Sequence, residues 1–193
     1  MNKNEATCSA NNISPVIRTQ KVVHKNDFYH IRKVDVDFGR FNKSYYISEH
    51  GERVGIVVSK GDDILLVRQY RFLLDDLSWE IPGGGVHERE SPKQAAIREC
   101  REETGIVCHN PVPMMRFHQG LDAVHNLTHV FYATEFTETA DKKNDPKESV
   151  AHHWLPIDQC IEMIVTGKIA DSFSIASLLG FRTLSLNHVS SNN

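Results

Sequence analysis

GGGVHERESPKQAAIRECREETGI, residues 83–106, is the stretch on which the reading of this chain turns. Ser91 is followed by Pro92 and by Gln94 three positions on, the signature of a helix start with a capping box and proline at the first helical position. Gly105 stands where such a helix would be stopped by a left-handed residue. The helix so bounded carries Glu99, Glu102 and Glu103 at i, i+3 and i+4, so the three carboxylates project from adjoining positions of one face. Ala96, Ile97 and Cys100 form the neighbouring apolar face, which can anchor the helix in a core. Glu90, in the loop before the cap, can fold back toward the same region. Like charges at this spacing cost a helix roughly 0.2–0.5 kcal/mol per pair, partly offset here by Arg98 and Arg101. A solvated, ion-paired helix face is one reading of this pattern. A bound cation is the other, and an all-oxygen set suits Mg²⁺ or Mn²⁺ rather than zinc. The glycines do not make a P-loop, because no Lys-Ser/Thr follows them.

Outward from this helix the chain alternates short β-branched runs with turn residues. Val54–Val58 and Ile64–Val67 flank a Gly-Asp turn and read as a hairpin buried on both sides. A strand is expected at Ser78–Ile81, and others at Met114–His118, His129–Phe136 and His152–Leu155. Asp141–Ser149 reads as a charged loop. Helices are expected at Asp158–Thr166 and from Ser172 to about Leu184. Before all of these, residues 15–50 suggest a small antiparallel sheet, with breaks at Lys25-Asn26-Asp27 and at Asn42-Lys43. Residues 1–14 carry no periodicity and are expected to be unstructured. The main domain is expected to span 51–193. Strands and helices without a βαβ rhythm predict an α+β layered fold.

Composition agrees with one globular domain and an appendage. The chain has 193 residues, 40% apolar and 24% charged, with 25 acids against 22 bases and a net charge of −3. That balance argues against a long nucleic-acid partner. Cys8, Cys100, Cys108 and Cys160 show no C-x-x-C pair and are read as free thiols of a reducing compartment. No apolar run approaches the ~18 residues of a membrane span. The polar start MNKNEATCSANN lacks the apolar core of a signal peptide, so a cytoplasmic location is expected.

The spacing of Gly84, Glu90 and Arg98-Glu99-Cys100-Arg101-Glu102-Glu103-Thr104-Gly105-Ile106 resembles the Nudix box, G-x5-E-x7-R-E-U-x-E-E-x-G-U, with U a bulky aliphatic residue. Every fixed position is met; the departure is Cys100 at the first U position. The runs VRQYRF and WEIPGGG and the closing GKIADSFSIASLL are similar to the ADP-ribose and nucleotide-sugar pyrophosphatase branch of that family. The resemblance implies a Nudix α/β/α sandwich. It also implies that the preceding sheet joins two subunits into a homodimer, often by exchange, with no membrane or long nucleic-acid partner.

The same resemblance implies roles. Glu99 and Glu103 would ligate Mg²⁺, with Mn²⁺ as a substitute; Glu102 would be a further ligand, and the Gly83 carbonyl would add an oxygen. Arg98 would orient the helix carboxylates. Glu90 would do the same or ligate through water, and Gly84 and Gly105 would serve as turn and helix stop. The general base would be Glu148, in DPKESVAHHW, with Glu102 as the rival. Arg71 would meet the diphosphate or ribose, with Glu80 and Trp79 of WEIPGGG beside the substrate. Trp79 and Phe28 are aromatic faces able to stack on a base or to pack in a core. Loop 118–126, HQGLDAVHN, falls where the branch places specificity contacts. His118, His125, His129, His152 and His153 have no metal-ligand spacing. The implied reaction is Mg²⁺-dependent hydrolysis of ADP-ribose or a related nucleoside diphosphate sugar to a nucleoside monophosphate and a sugar phosphate. A dinucleotide such as NADH, a nucleoside triphosphate, and non-hydrolytic binding by a regulator are the alternatives.

Overall fold

The computed structural model describes residues 14–139 and 151–190. The expected unstructured start and the charged loop with Glu148 fall outside the described residues, apart from Ser14. The chain divides into two compact units, one of residues 1–50 with 120–125 and one of 51–119 with 126–193.

The first unit is an antiparallel meander of β1 (Val16–Lys25), β2 (His30–Asp37) and β3 (Asn42–Glu49). Its first turn is closed by Asn26, whose side-chain oxygen accepts from the backbone N–H groups of Phe28 and Tyr29, both at 2.9 Å. The second turn lies at 38–41, with Gly39 at φ +77°. The polar break expected at Asn42-Lys43 is therefore displaced: those residues open β3 and pair with Asp37 and Val36. Polarity alone misplaced it, because a glycine free to take positive φ decides where the chain reverses. Val124 and His125 pair in parallel with Ser48 and Glu49 in this unit. Burial here is slight. Val34 and Val36 are the buried apolar residues, and all ten residues of β1 are exposed.

The second unit is built on β4 (Arg53–Lys60) and β5 (Asp63–Arg71), a hairpin turning at Gly61-Asp62. β6 (Asp76–Glu80) and β12 (Ala151–Pro156) flank β5 antiparallel, and β7 (Gly83–Gly85) pairs antiparallel with β4. β9 (Val112–Gly120) pairs with β10 (Val124–Ala133), whose residues 128–133 run parallel to β4. The single strand expected at His129–Phe136 is broken at Thr134. Beyond it β11 (Glu135–Glu138) pairs with β8 (Ile106–His109), a strand not anticipated after the helix.

Helix α1 (Pro92–Thr104) lies on one face of the sheet, and α2 (Ile157–Val165) and α3 (Ser172–Ser190) lie on the other. Strand alternation divides the core accordingly. Val54, Ile56, Val58 and Leu65 pack with Ala95, Ala96 and Cys100 of α1. Val57, Ile64, Leu66 and Val130 pack with Cys160, Met163, Phe173 and Leu178. The result is the α+β sandwich. The buried face of α1 is Ala95, Ala96, Cys100 and Thr104, while Ile97, expected there, is half-buried. Among the described residues no helix is long and apolar enough to cross a membrane.

Candidate active site

Helix α1 begins and ends as its sequence requires. Ser91 Oγ accepts from Gln94 N–H at 3.3 Å, and the Gln94 side chain accepts from Ser91 N–H at 2.9 Å. Gly105, at φ +75°, donates its N–H to the Arg101 carbonyl at 2.9 Å. These ends fix the rotation of the helix, and with it the direction of the three glutamates.

Arg98 is the hub of one half of the site. Its guanidinium donates to Glu90 Oε1 at 2.7 Å and Oε2 at 3.1 Å, to Glu99 Oε1 at 2.7 Å, to Glu102 Oε2 at 3.2 Å and to the Gly85 carbonyl at 2.9 Å. The guanidinium and the His87 N–H hold the Glu90 carboxyl down at about 2. In return, the Glu90 hydrogen bond first and Glu99 after it raise the Arg98 pKa further. Burial pushes the Glu99 carboxyl up in spite of Arg98. Glu90, Glu99 and Glu102 are thus brought together, by a cation the chain itself supplies.

Glu103 belongs to the other half. Its oxygens accept from Gln69 Nε2 at 2.8 Å and from Gly83 N–H at 3.1 Å. Burial, with repulsion from Glu99 and Glu80, pushes its carboxyl up to about 8. Odd-numbered residues of β5 face α1, so Gln69 and Arg71 share this face with Ser78 and Glu80 of β6. Arg71 donates to Glu80 through Nε, at 2.7 Å, and through Nη2, and the Glu80 hydrogen bond raises its pKa; Asp171 and Glu103 add to this through space.

One expected residue lies elsewhere in this unit. Trp79 alternates onto the opposite face, where it stacks under Arg68 and edge-on to His153; strand pleating turns it away from Glu103. Phe28 sits in the first turn of the first unit, 86% exposed. Residues 120–125 of the expected specificity loop belong to that unit, where His125 pairs with Glu49. Gln69 and Ser78 were not singled out by the sequence. The signal was there in V-R-Q-Y-R, since a residue two before Arg71 in a strand must share its face.

Among the described residues no three His, Cys, Asp or Glu side chains are already gathered around a common point as metal ligands. The donors nevertheless fit a hard divalent cation. All are oxygens, and Glu103 is a half-buried carboxylate whose direct partners are an amide and a backbone N–H, neither of which carries a compensating charge.

Comparison with known proteins agrees with this geometry. The chain is 27% identical over 164 residues to a CMP-5'-(N-acetyl-N-hydroxy-3-aminopropyl)phosphonate hydrolase of Streptomyces rubellomurinus, covering 84% of this chain and 79% of the relative. It is 24% identical over 147 residues to an ADP-ribose pyrophosphatase of Bacillus subtilis, covering 76% and 79%. Its fold matches the crystal structure of an ADP compounds hydrolase with a TM-score of 0.79 at 17% identity, over 90% of this chain and 95% of the other. A family model described as the NUDIX domain matches residues 49–171, and with more than half its length so matched the chain belongs to the Nudix family.

Proposed function

We infer that this chain is a Mg²⁺-dependent hydrolase that cleaves the diphosphate of ADP-ribose or a related nucleoside diphosphate sugar, releasing a nucleoside monophosphate and a sugar phosphate. The observation that carries this reading is the half-buried Glu103 carboxylate, set beside Gly83 and held by neutral donors at the end of a complete Nudix box. Two relatives whose names specify hydrolysis of nucleotide derivatives support it.

The difficulty of the reaction is electrostatic, because an anionic diphosphate must meet a nucleophile and expel a charged group. Bound Mg²⁺ supplies charge neutralisation and a more acidic water. Glu99 and Glu103 would hold the metal, with Glu102 and the Gly83 carbonyl as further oxygens. Arg98 keeps Glu99 and Glu102 aimed along one side of α1 and ties the Glu90 loop to them. Arg71, fixed in direction by Glu80, offers its remaining N–H groups to the diphosphate. Glu148 or Glu102 would accept the proton of the attacking water.

The exposed β1 strand supports a homodimer. Three strands with two buried apolar residues make a poor core alone, and Val16, Ile17, Val22 and Val23 stand 44–58% exposed on an edge strand. A cytoplasmic location remains the expectation for a chain of this composition.

The experiment is a panel of ADP-ribose, ADP-glucose, GDP-mannose, UDP-glucose, NADH and nucleoside triphosphates, incubated with Mg²⁺ and assayed for phosphatase-releasable products. A second reading, favoured by the similarity to the phosphonate hydrolase, is a CMP-linked substrate, so a cytidine diphosphate compound belongs in the panel. No product from any diphosphate would overturn the proposal.

A further inference from the structure

The four glutamates around α1 are held in two different ways. Glu90, Glu99 and Glu102 are each bound by the Arg98 guanidinium. Glu103 is bound by two neutral donors, Gln69 Nε2 on one oxygen and Gly83 N–H on the other. A guanidinium neutralises what it orients, whereas an amide orients without neutralising. Gln69 is 5% exposed, so its amide is locked among packed neighbours rather than swinging in solvent. The bond runs from Gln69 Nε2 to Glu103 Oε1, so the amide presents its NH₂ end to Glu103. Across the strand, Gln69 pairs with Ser78, so the two side chains stand on the face that looks at α1. Ser78 is 3% exposed, and its hydroxyl has no hydrogen-bond partner among the described residues. The surroundings of the amide are therefore polar and not fully satisfied by the chain itself, as expected where an outside polar group or ion is to be received.

The geometry points to Gln69 as a positioning residue, whose amide sets the direction of the Glu103 carboxylate toward a divalent cation while leaving its charge for that cation. This rests on the reading of the site as a cation-dependent hydrolase. Partners of this kind fix ligand orientation, and losing one typically costs ~10–100-fold in metal affinity or activity. Gln69 lies on β5, outside the box, and acts on the metal only through Glu103.

The test uses the full chain and Mn²⁺ as the probe. Free Mn²⁺ is followed by electron paramagnetic resonance during titration of wild type and Gln69→Met, which keeps the side-chain length and removes the donor. The expected result is ~10-fold weaker Mn²⁺ binding by the variant, with the thermal midpoint nearly unchanged. In turnover assays the half-saturating metal concentration rises by the same factor. At saturating metal, kcat and the substrate KM recover to within about threefold, a split that a general loss of structure does not produce. Mn²⁺ binding by Gln69→Met within about twofold of wild type overturns the role. If that variant does not fold, Gln69→Asn, which withdraws the amide by one methylene, carries the same expectation and the same overturning result. Wild type that binds no Mn²⁺ overturns the cation-dependent reading itself and this role with it, an outcome distinct from the first.

Discussion

The carboxylate of Glu99 fills the space that a side chain on Gly84 would need: a Cβ there would stand 2.4 Å from Glu99 Oε1. The glycine of the box is thus required by a side chain fifteen positions later, at the start of the acidic face of α1. Gly84→Ala must push Glu99 aside. The atom displaced is the end of a flexible side chain, so the fold should tolerate the change and the site should not. We expect a small shift in thermal midpoint and a loss of ~10²-fold in kcat/KM, the scale of a misplacement of about 1 Å in a catalytic group. Calorimetry and steady-state kinetics on the same preparation separate the two effects, and full activity would show that the position of Glu99 is not critical.

Removing divalent cations should make stability depend on pH in a defined direction. Burial raises the Glu103 carboxyl from about 4.5 to about 8, so its neutral form is favoured in the folded chain. Its contribution is complete below the unfolded value near 4.5 and is lost as pH rises through 8. Protein treated with EDTA should therefore lose thermal stability between pH 5 and about 8. Added Mg²⁺ should restore it, most strongly at the alkaline end. Glu103→Gln should flatten both the pH slope and the metal response, and should lower kcat by ~10²-fold or more. Melting curves that show the same slope in wild type and variant would reject Glu103 as the source.

Cys100 stands where the box favours a bulky aliphatic residue, and the structure supplies the reason it fits. Its thiol is fully buried and lies 3.6 Å from the Cys108 thiol on β8, with Thr104 Oγ1 at 3.7 Å. The neighbouring strand fills the space that a larger side chain would take. Cys100→Leu should therefore overpack this corner and cost about 1–3 kcal/mol in chemical denaturation. The double variant Cys100→Leu, Cys108→Ala should recover much of that loss. Equal instability of the single and double variants would mean that the two positions do not share one space.

These cases show what the sequence carried and what it did not. The capping box, the positive-φ stop at Gly105 and the three helix glutamates were legible because helix geometry is local: caps and i, i+4 spacing fix the face without any tertiary knowledge. The division of those glutamates between Arg98 and Gln69 was not legible, since Gln69 reaches Glu103 across 34 positions of chain. Trp79 was expected beside the substrate from its place in WEIPGGG. The two-residue pleat that turns Glu80 toward Arg71 turns Trp79 to the other side. Strand β8 escaped notice because four residues directly after a helix stop give too short a pattern to read.

Arg71 and Glu80 allow stability and substrate binding to be separated. Glu80 is 6% exposed and Arg71 reaches it through two N–H groups, with the guanidinium still partly open to solvent. Arg71→Ala leaves a buried carboxylate without its cation, so both stability and binding should fall. Adding Glu80→Gln removes that unpaired charge, and the double variant should regain most of the lost thermal stability. It should not regain activity if Arg71 meets the diphosphate, because no positive group returns to that side of β5. The expected pattern is a raised KM, ~10-fold or more, in both the single and the double variant, the scale of a lost charged hydrogen bond to substrate. Recovery of KM along with stability in Arg71→Ala, Glu80→Gln would assign Arg71 to holding Glu80 alone and would move substrate recognition elsewhere on the α1 face.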